Sequence, residues 1–344
     1  MDCFKEISMM ARVYKSTGSW YVVKTAEGEV WNARLKGILR LDGITSTNPI
    51  AVGDIINIEP EDELERTAVV TEIQDRRNYI NRQSPSHRMQ HHIVAANIDQ
   101  SLLLVTLKEP RTSQGFIDRW LVTCEAYHVP AILVFNKADL YRKKEMEKFE
   151  AWKEMYEAIG YRVIRMSVET GEGVKEVKAL LQGKISLLSG HSGVGKSSFL
   201  NAILPELRLK IQDVSGWSGK GTHTTTFSEM FDLPAEPFGS PSGDERHGQP
   251  GGPGRPGEAA SGGAGAVIDT PGMKEFGLVD ISRAELSGYF PEMRALAGEC
   301  QFNNCLHAEE PGCVVKLAVM EGRIAEDRYV SYRTILDSID DKNY

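Results

Sequence analysis

Two short motifs occur in an order that constrains the whole architecture. Asn136-Lys137-Ala138-Asp139 reads N-K-x-D. It precedes Gly190-His191-Ser192-Gly193-Val194-Gly195-Lys196-Ser197, a complete G-x-x-x-x-G-K-S phosphate loop. The first pattern reads a guanine edge and the second cradles phosphates, so the pair implies guanine-nucleotide chemistry. Ordinary GTPases carry the phosphate loop first and the base-recognition turn late. The reversed order implies a circularly permuted α/β nucleotide domain.

The flanking sequence suits that reading. Ser101–Thr106, Ala131–Phe135, Tyr161–Met166 and Lys184–Ser189 read as buried strands. Gly115–Tyr127, Glu145–Ile159, Val174–Leu181 and Ser197–Ile203 read as helices between or after them. Alternating strands and crossover helices make a parallel sheet with ligands at the carboxyl ends of its strands. Both motifs fall at such ends. Upstream, residues 11–80 hold β-branched and aromatic runs near Val13, Trp20, Val30, Ile55 and Ala68, punctuated by Gly18, Gly28, Gly43 and Gly53. About five short strands predict a small barrel, of the oligonucleotide/oligosaccharide-binding (OB) kind or of an SH3-like topology. Residues 234–265 contain ten glycines and six prolines. Such a stretch buries too little apolar surface to offset its ordering entropy, so it reads as a disordered insertion between two strands.

Each nucleotide motif asks for particular chemistry. Backbone N–H groups from Gly190 through Ser198 face the phosphates at a helix N-terminus. Lys196 is expected to reach the β- and γ-phosphates, and the Ser197 hydroxyl to bind Mg²⁺. Asp269-Thr270-Pro271-Gly272 follows the strand Ala266–Ile268, placing a carboxylate near Mg²⁺ and a glycine N–H near the γ-phosphate. Thr225, with Thr224 as the neighbouring alternative, is the switch threonine expected to close on Mg²⁺. The Asp139 carboxylate accepts from the guanine N1–H and N2–H₂ edge, which adenine lacks. Asn136 orders the turn, and the Lys137 stem lies over the base plane. Ser167 and Val168, after the next strand, belong to a second base-contacting loop.

The five cysteines do not form a disulfide framework. Cys300, Cys305, His307 and Cys313 read C-x4-C-x-H-x5-C, a ligand set that closes a tetrahedral, structural Zn²⁺ site. Leu286–Leu296, Val314–Met320 and the tail beyond Arg328 read as the helices around it. The net charge of −8 disfavours indiscriminate nucleic-acid binding. A basic stretch from Arg76 to His92, with Arg77, Arg82, Arg88 and Tyr79, reads either as an RNA-contacting segment or as a solvated linker. No apolar run is long enough for a membrane span, and residues 1–30 lack a signal-peptide core, so the expectation is a cytoplasmic protein with no membrane partner.

Motif order, N-terminal barrel and C-terminal cysteine cluster together resemble the ribosome small-subunit-dependent GTPase A family of bacteria. That resemblance spans nearly the whole chain. It implies an OB-fold barrel with its basic linker over residues 1–92, a circularly permuted P-loop GTPase over 93–281, and a helical zinc-binding domain over 282–344. It implies a monomeric late assembly factor of the 30S subunit that contacts 16S rRNA. Its GTPase would be stimulated by that subunit, with release on hydrolysis to GDP. Met273 stands where Ras-like enzymes carry a water-positioning glutamine. The resemblance points to His223, in the switch loop, as the substitute, with the subunit itself as the competing source of the catalytic group. The insertion at 234–265 is longer than the connection usual in that family. The competing function is a nucleotide-gated RNA-binding module with negligible turnover.

Overall fold

The computed structural model describes residues 8–35, 49–83, 91–209, 228–234, 264–270, 278–279 and 281–339, without the side chains of Arg82, Gln83 and His91. His223, Thr225, Gly272, Met273 and residues 235–263 of the insertion lie outside the described residues.

Five strands form the barrel: β1 (Met9–Ser16), β2 (Tyr21–Thr25), β3 (Val30–Leu35), β4 (Ile55–Asp62) and β5 (Thr67–Ile73). Their alternating buried and exposed residues put Val13, Tyr21, Val23, Trp31, Ile56, Ile58 and Val70 inside. β1 pairs antiparallel with both β2 and β4. β2 pairs antiparallel with β3, and β4 with β5, while β3 and β5 run parallel. The closed order 1-2-3-5-4-1, with that single parallel pairing, resolves the sequence-level choice in favour of the OB barrel.

The basic stretch behaves differently from a linker. β6 (Tyr79–Gln83) and β7 (His91–Ala96) pair antiparallel. Arg76 forms a two-pronged ion pair with Asp54, at 2.7 and 2.6 Å, and Arg77 reaches Asp99 at 2.6 Å. Asp54 is fully buried. Arg76 is thereby tied to a buried carboxylate, while Arg77 stays exposed beside its partner.

The nucleotide domain comprises β8 (Gln100–Val105), α1 (Gln114–Ala126), β9 (Ala131–Phe135), α2 (Lys143–Ala158), β10 (Arg162–Arg165), α3 (Val174–Leu181), β11 (Ile185–Ser189), α4 (Lys196–Ile203), β12 (Glu229–Asp232) and β13 (Ala266–Asp269). Among the described residues the sheet order is β10-β9-β8-β11-β13-β12, parallel except for β12. β8 is buried throughout, as a strand covered on both faces must be. One core packs Trp120, Leu121 and Phe135 beneath α1 and α2. The other packs Phe199, Leu200 and Val177 beneath α3 and α4. β12 also pairs with β1 at Glu229↔Lys15, so the sheet runs on into the barrel. Lys15–Glu229 at 2.9 Å, Lys24–Asp232 at 2.5 Å and a hydrogen bond from the Tyr14 hydroxyl to Asp232 seal that junction.

The C-terminal segment holds a 3₁₀ turn (Leu286–Tyr289), α5 (Pro291–Arg294), α6 (Val314–Met320) and α7 (Glu326–Asp337). The single helix expected over Leu286–Leu296 is broken. Phe290 is extended at φ −109° and ψ 106°, because Pro291 disfavours a helical conformation in the residue before it. Phe290, Tyr332, Ile335 and Leu336 pack this segment against Val122 of α1. Arg328 of α7 crosses the same contact. It meets Asp118 of α1 at 2.6 Å and Glu292 at 2.7 Å, and its guanidinium lies 4.5 Å from the Phe290 ring centroid. The Tyr156 hydroxyl donates to Asp118 at 2.8 Å. Burial alone would lower the Arg328 pKa, but Asp118 and Glu292 more than reverse that and raise it. No described helix is long and apolar enough to cross a membrane.

Candidate nucleotide site and metal centre

The phosphate loop links β11 to α4, at the carboxyl end of the sheet. Gly190 has φ +144°, and a Cβ there would sit 2.3 Å from the Leu104 carbonyl oxygen. Gly195 has φ +98°, and a Cβ would meet Asn136 Nδ2 at 2.4 Å. Both positions admit only glycine. Lys196 is buried, and its ammonium donates to the carbonyls of Gly190 at 2.8 Å and His191 at 3.1 Å. Burial lowers its pKa, and Asp269 acts in the opposite sense. Asp269 closes β13 beside β11, in register with Leu188, and is itself buried. The Thr270 hydroxyl donates to the Leu188 carbonyl at 3.0 Å. Ser197 and Ser198 are half-buried in the first turn of α4, and Ser192 is exposed at the crest of the loop.

The base-recognition turn docks onto the phosphate loop through Asn136. Asn136 Nδ2 donates to the Val194 carbonyl at 2.8 Å, across 58 positions of sequence. Asn136 is buried and Asp139 exposed. The Ser167 hydroxyl donates to Asp139 Oδ1 at 2.5 Å, and the Ala138 amide to the Met166 carbonyl at 3.1 Å. Ser167 is thus joined to Asp139, while Val168 beside it is half-buried. Lys137 adopts a left-handed conformation at φ 59°. The two motifs that the sequence separates therefore meet at one edge of the sheet. His223, Thr225 and Gly272 cannot be placed against them, being outside the described residues.

Sequence motifs miss the third wall of this site. The loop after β8 closes on itself: the Thr112 amide donates to the Thr106 carbonyl at 2.8 Å, and the Thr106 amide to Thr112 Oγ1 at 3.1 Å. Lys137 Nζ donates to the Glu109 carbonyl in this loop at 2.5 Å. The His191 ring stacks on Phe116, at the start of α1, with centroids 3.6 Å apart. The only sequence signal for this wall is its position at the end of a parallel strand, where ligands bind.

In the C-terminal segment, the ligand atoms of Cys300, Cys305, His307 and Cys313 all lie within 4.8 Å of one another. His307 Nδ1 is 3.6 Å from Cys300 Sγ and 3.4 Å from Cys313 Sγ, and the two sulfurs are 3.9 Å apart. A tetrahedral site with metal–sulfur bonds of about 2.3 Å requires sulfur–sulfur edges of about 3.8 Å. The donor set and spacing fit such an ion. Burial lowers the His307 pKa, against the opposing charge of Glu310, which keeps the imidazole available as a ligand. Hydroxyls of Tyr329 and Tyr332 donate to the carbonyls of His307 and Leu306, each at 2.7 Å. Glu310 accepts from the Leu306 and Ala308 amides, both at 2.8 Å. The ligand loop is fixed from both sides.

Comparison with known proteins agrees with this geometry. The family described as "RsgA GTPase" matches residues 73–238, and that described as "RsgA N-terminal domain" matches residues 11–67. A Flavobacterium psychrophilum protein named "Small ribosomal subunit biogenesis GTPase RsgA" is 44% identical over 98% of this chain and 94% of its own. A Bacteroides fragilis protein of the same name is 43% identical over 98% of this chain and 99% of its own. Among solved structures, YjeQ from Thermotoga maritima superposes with a TM-score of 0.70 at 32% identity, covering 96% of this chain and 98% of that one. YloQ, described as a circularly permuted GTPase, gives 0.67 at 25% identity, covering 100% and 99%.

Proposed function

The chain belongs to the RsgA GTPase family, and from that membership we infer that it hydrolyses GTP in the biogenesis of the small ribosomal subunit. The observation that carries this reading is the Asn136–Val194 joint, which brings a guanine-reading turn onto a phosphate loop in permuted order. The competing reading, an RNA-binding module with negligible turnover, has no such observation in its favour.

In this proposal Asp139 reads the guanine edge, Lys137 covers the base plane, and Ser167 and Val168 line the second base loop. Gly190 to Ser198 wrap the phosphates with their amides. Lys196 exchanges its present carbonyl partners for β- and γ-phosphate oxygens, whose charge favours the buried ammonium beyond what Asp269 provides. Ser197, Thr225 and Asp269 would hold Mg²⁺, which neutralises charge developing on the phosphates. The Gly272 amide contacts the γ-phosphate. The finer biology follows the family resemblance: a monomeric cytoplasmic factor divided at 1–92, 93–281 and 282–344, acting late on the 30S subunit through 16S rRNA and leaving as GDP forms.

His223 is proposed to position the attacking water, because Met273 offers no hydrogen bond for the task. His223→Ala is expected to bind GTP and 30S subunits nearly as the parent does. Its subunit-stimulated turnover should fall by about 10²-fold, the scale of a positioned catalytic group. Stimulation retained at the parent level, with binding intact, would transfer the role to the ribosome.

Cys300, Cys305, His307 and Cys313 are proposed to hold one structural Zn²⁺, which supplies folding energy to a segment with a small core of its own. Elemental analysis of protein prepared without chelator is expected to find one zinc per chain. Cys305→Ser is expected to lower the stability of the C-terminal segment while GTP binding persists. A zinc-free, fully folded parent protein would refute the assignment.

A further inference from the structure

Tyr141 belongs to no nucleotide motif, yet it sits at the junction between the base-recognition turn and the loop after β8. Its hydroxyl donates to the Asn136 carbonyl at 2.9 Å. The Asn136 amide donates in turn to the Val105 carbonyl at 2.8 Å, so the turn is gripped from strand and side chain together. The Tyr141 amide closes the 3₁₀ turn Ala138–Leu140 by donating to the Ala138 carbonyl at 3.0 Å. Burial raises the pKa of the phenol, with the Leu107 backbone amide acting in the opposite sense, so the hydroxyl remains a neutral donor. Half-buried, the ring packs against the core beneath α1 and α2. The Tyr141 phenol therefore clamps the turn onto itself at the Asn136 carbonyl, and the Lys137 ammonium ties the turn to the Thr106–Thr112 loop at the Glu109 carbonyl.

This arrangement bears on Asp139. The aspartate is exposed and lies between two fixed points, Ser167 on one side and the Tyr141-held backbone on the other. A guanine edge presents two adjacent donors, and a carboxylate meets both only if its plane is set before binding. We propose that Tyr141 is a positioning residue for guanine recognition: it acts through the Asn136 carbonyl to set the Asp139 carboxylate against the base edge. The inference rests on the guanine-site reading above and adds a specificity determinant to it. The loop that anchors Lys137, and through it the turn that Tyr141 clamps, is closed by Thr112, which is buried and accepts from the Thr106 amide.

The test compares GTP with ITP, whose base lacks the 2-amino group and so offers Asp139 a single donor. Tyr141→Phe keeps the ring in the core and removes only the hydroxyl. GTP affinity is expected to fall by about tenfold, the scale of one lost hydrogen bond with a buried partner left unpaired. ITP affinity is expected to fall by less, so the GTP-to-ITP affinity ratio narrows. Thr112→Val, which loosens the anchoring loop, is expected to narrow the ratio in the same direction. Equal losses for the two nucleotides, or an unchanged ratio with only a lowered melting temperature in the nucleotide-free protein, would overturn the proposal and leave Tyr141 a packing residue. A parent protein that does not prefer GTP to ITP would overturn the guanine-site reading itself, a result distinct from a failure of Tyr141 alone.

Discussion

Asp139→Asn is expected to weaken GTP binding by about 2–4 kcal/mol, the cost of truncating one partner of a charge-assisted hydrogen-bond pair. The substitution replaces an acceptor-only carboxylate by an amide, one of whose two polar atoms is a donor. The amide then meets the guanine N1–H and N2–H₂ donors with one favourable and one repulsive contact. The Ser167 hydroxyl, now donating to Asp139 at 2.5 Å, also loses a charged acceptor. Because the aspartate is exposed, the fold does not depend on it, so the melting temperature of the nucleotide-free variant should stay near that of the parent. Titration with a fluorescent GTP analogue checks the prediction, and unchanged affinity would remove Asp139 from the base site.

Arg328→Met is expected to destabilise the chain by about 3–5 kcal/mol, the range for removing one member of a buried ion cluster. Arg328 and Asp118 are buried to 1% and 0% exposure, and Glu292 to 5%. Without the guanidinium, two carboxylates face each other in a nearly dry contact between α1 and the C-terminal segment. The cost arises from that uncompensated charge. Accordingly, the triple variant Arg328→Met, Asp118→Asn, Glu292→Gln should recover much of the loss. Urea unfolding of the three proteins decides the matter. A single-variant loss under about 1 kcal/mol, the value of an exposed pair, would show the cluster to be energetically idle.

Much of this molecule was legible because its motifs are local. The phosphate loop and the N-K-x-D turn each fit within a few consecutive residues, and their order alone revealed the permutation. Parallel strands such as Ala131–Phe135 were legible because burial on both faces leaves a continuous apolar run. The cluster of three cysteines and a histidine was legible because those residues have few other reasons to gather. What stayed hidden depends on partners far away or on backbone atoms. Arg328 and Asp118 are 210 positions apart, and nothing in either neighbourhood marks them as partners. Tyr141 acts on a carbonyl, which every residue possesses, so no complementary side chain betrays it. The β6–β7 hairpin was hidden by its charge. Its arginines and histidines read as an RNA-contacting segment or a solvated linker, although Ile80, Ile93 and Val94 carry an ordinary buried pattern. The break at Phe290 was in principle readable, since Pro291 disfavours a helical conformation in the residue before it.

The central claim is that this is a GTPase whose turnover answers to the small ribosomal subunit. Phosphate release from GTP should be measured with the chain alone, with purified 30S subunits and with purified 50S subunits, at equal protein and GTP concentrations. The account predicts slow release alone, strong acceleration by 30S subunits and none by 50S subunits. Turnover that is absent under all three conditions, or raised equally by either subunit, would contradict it.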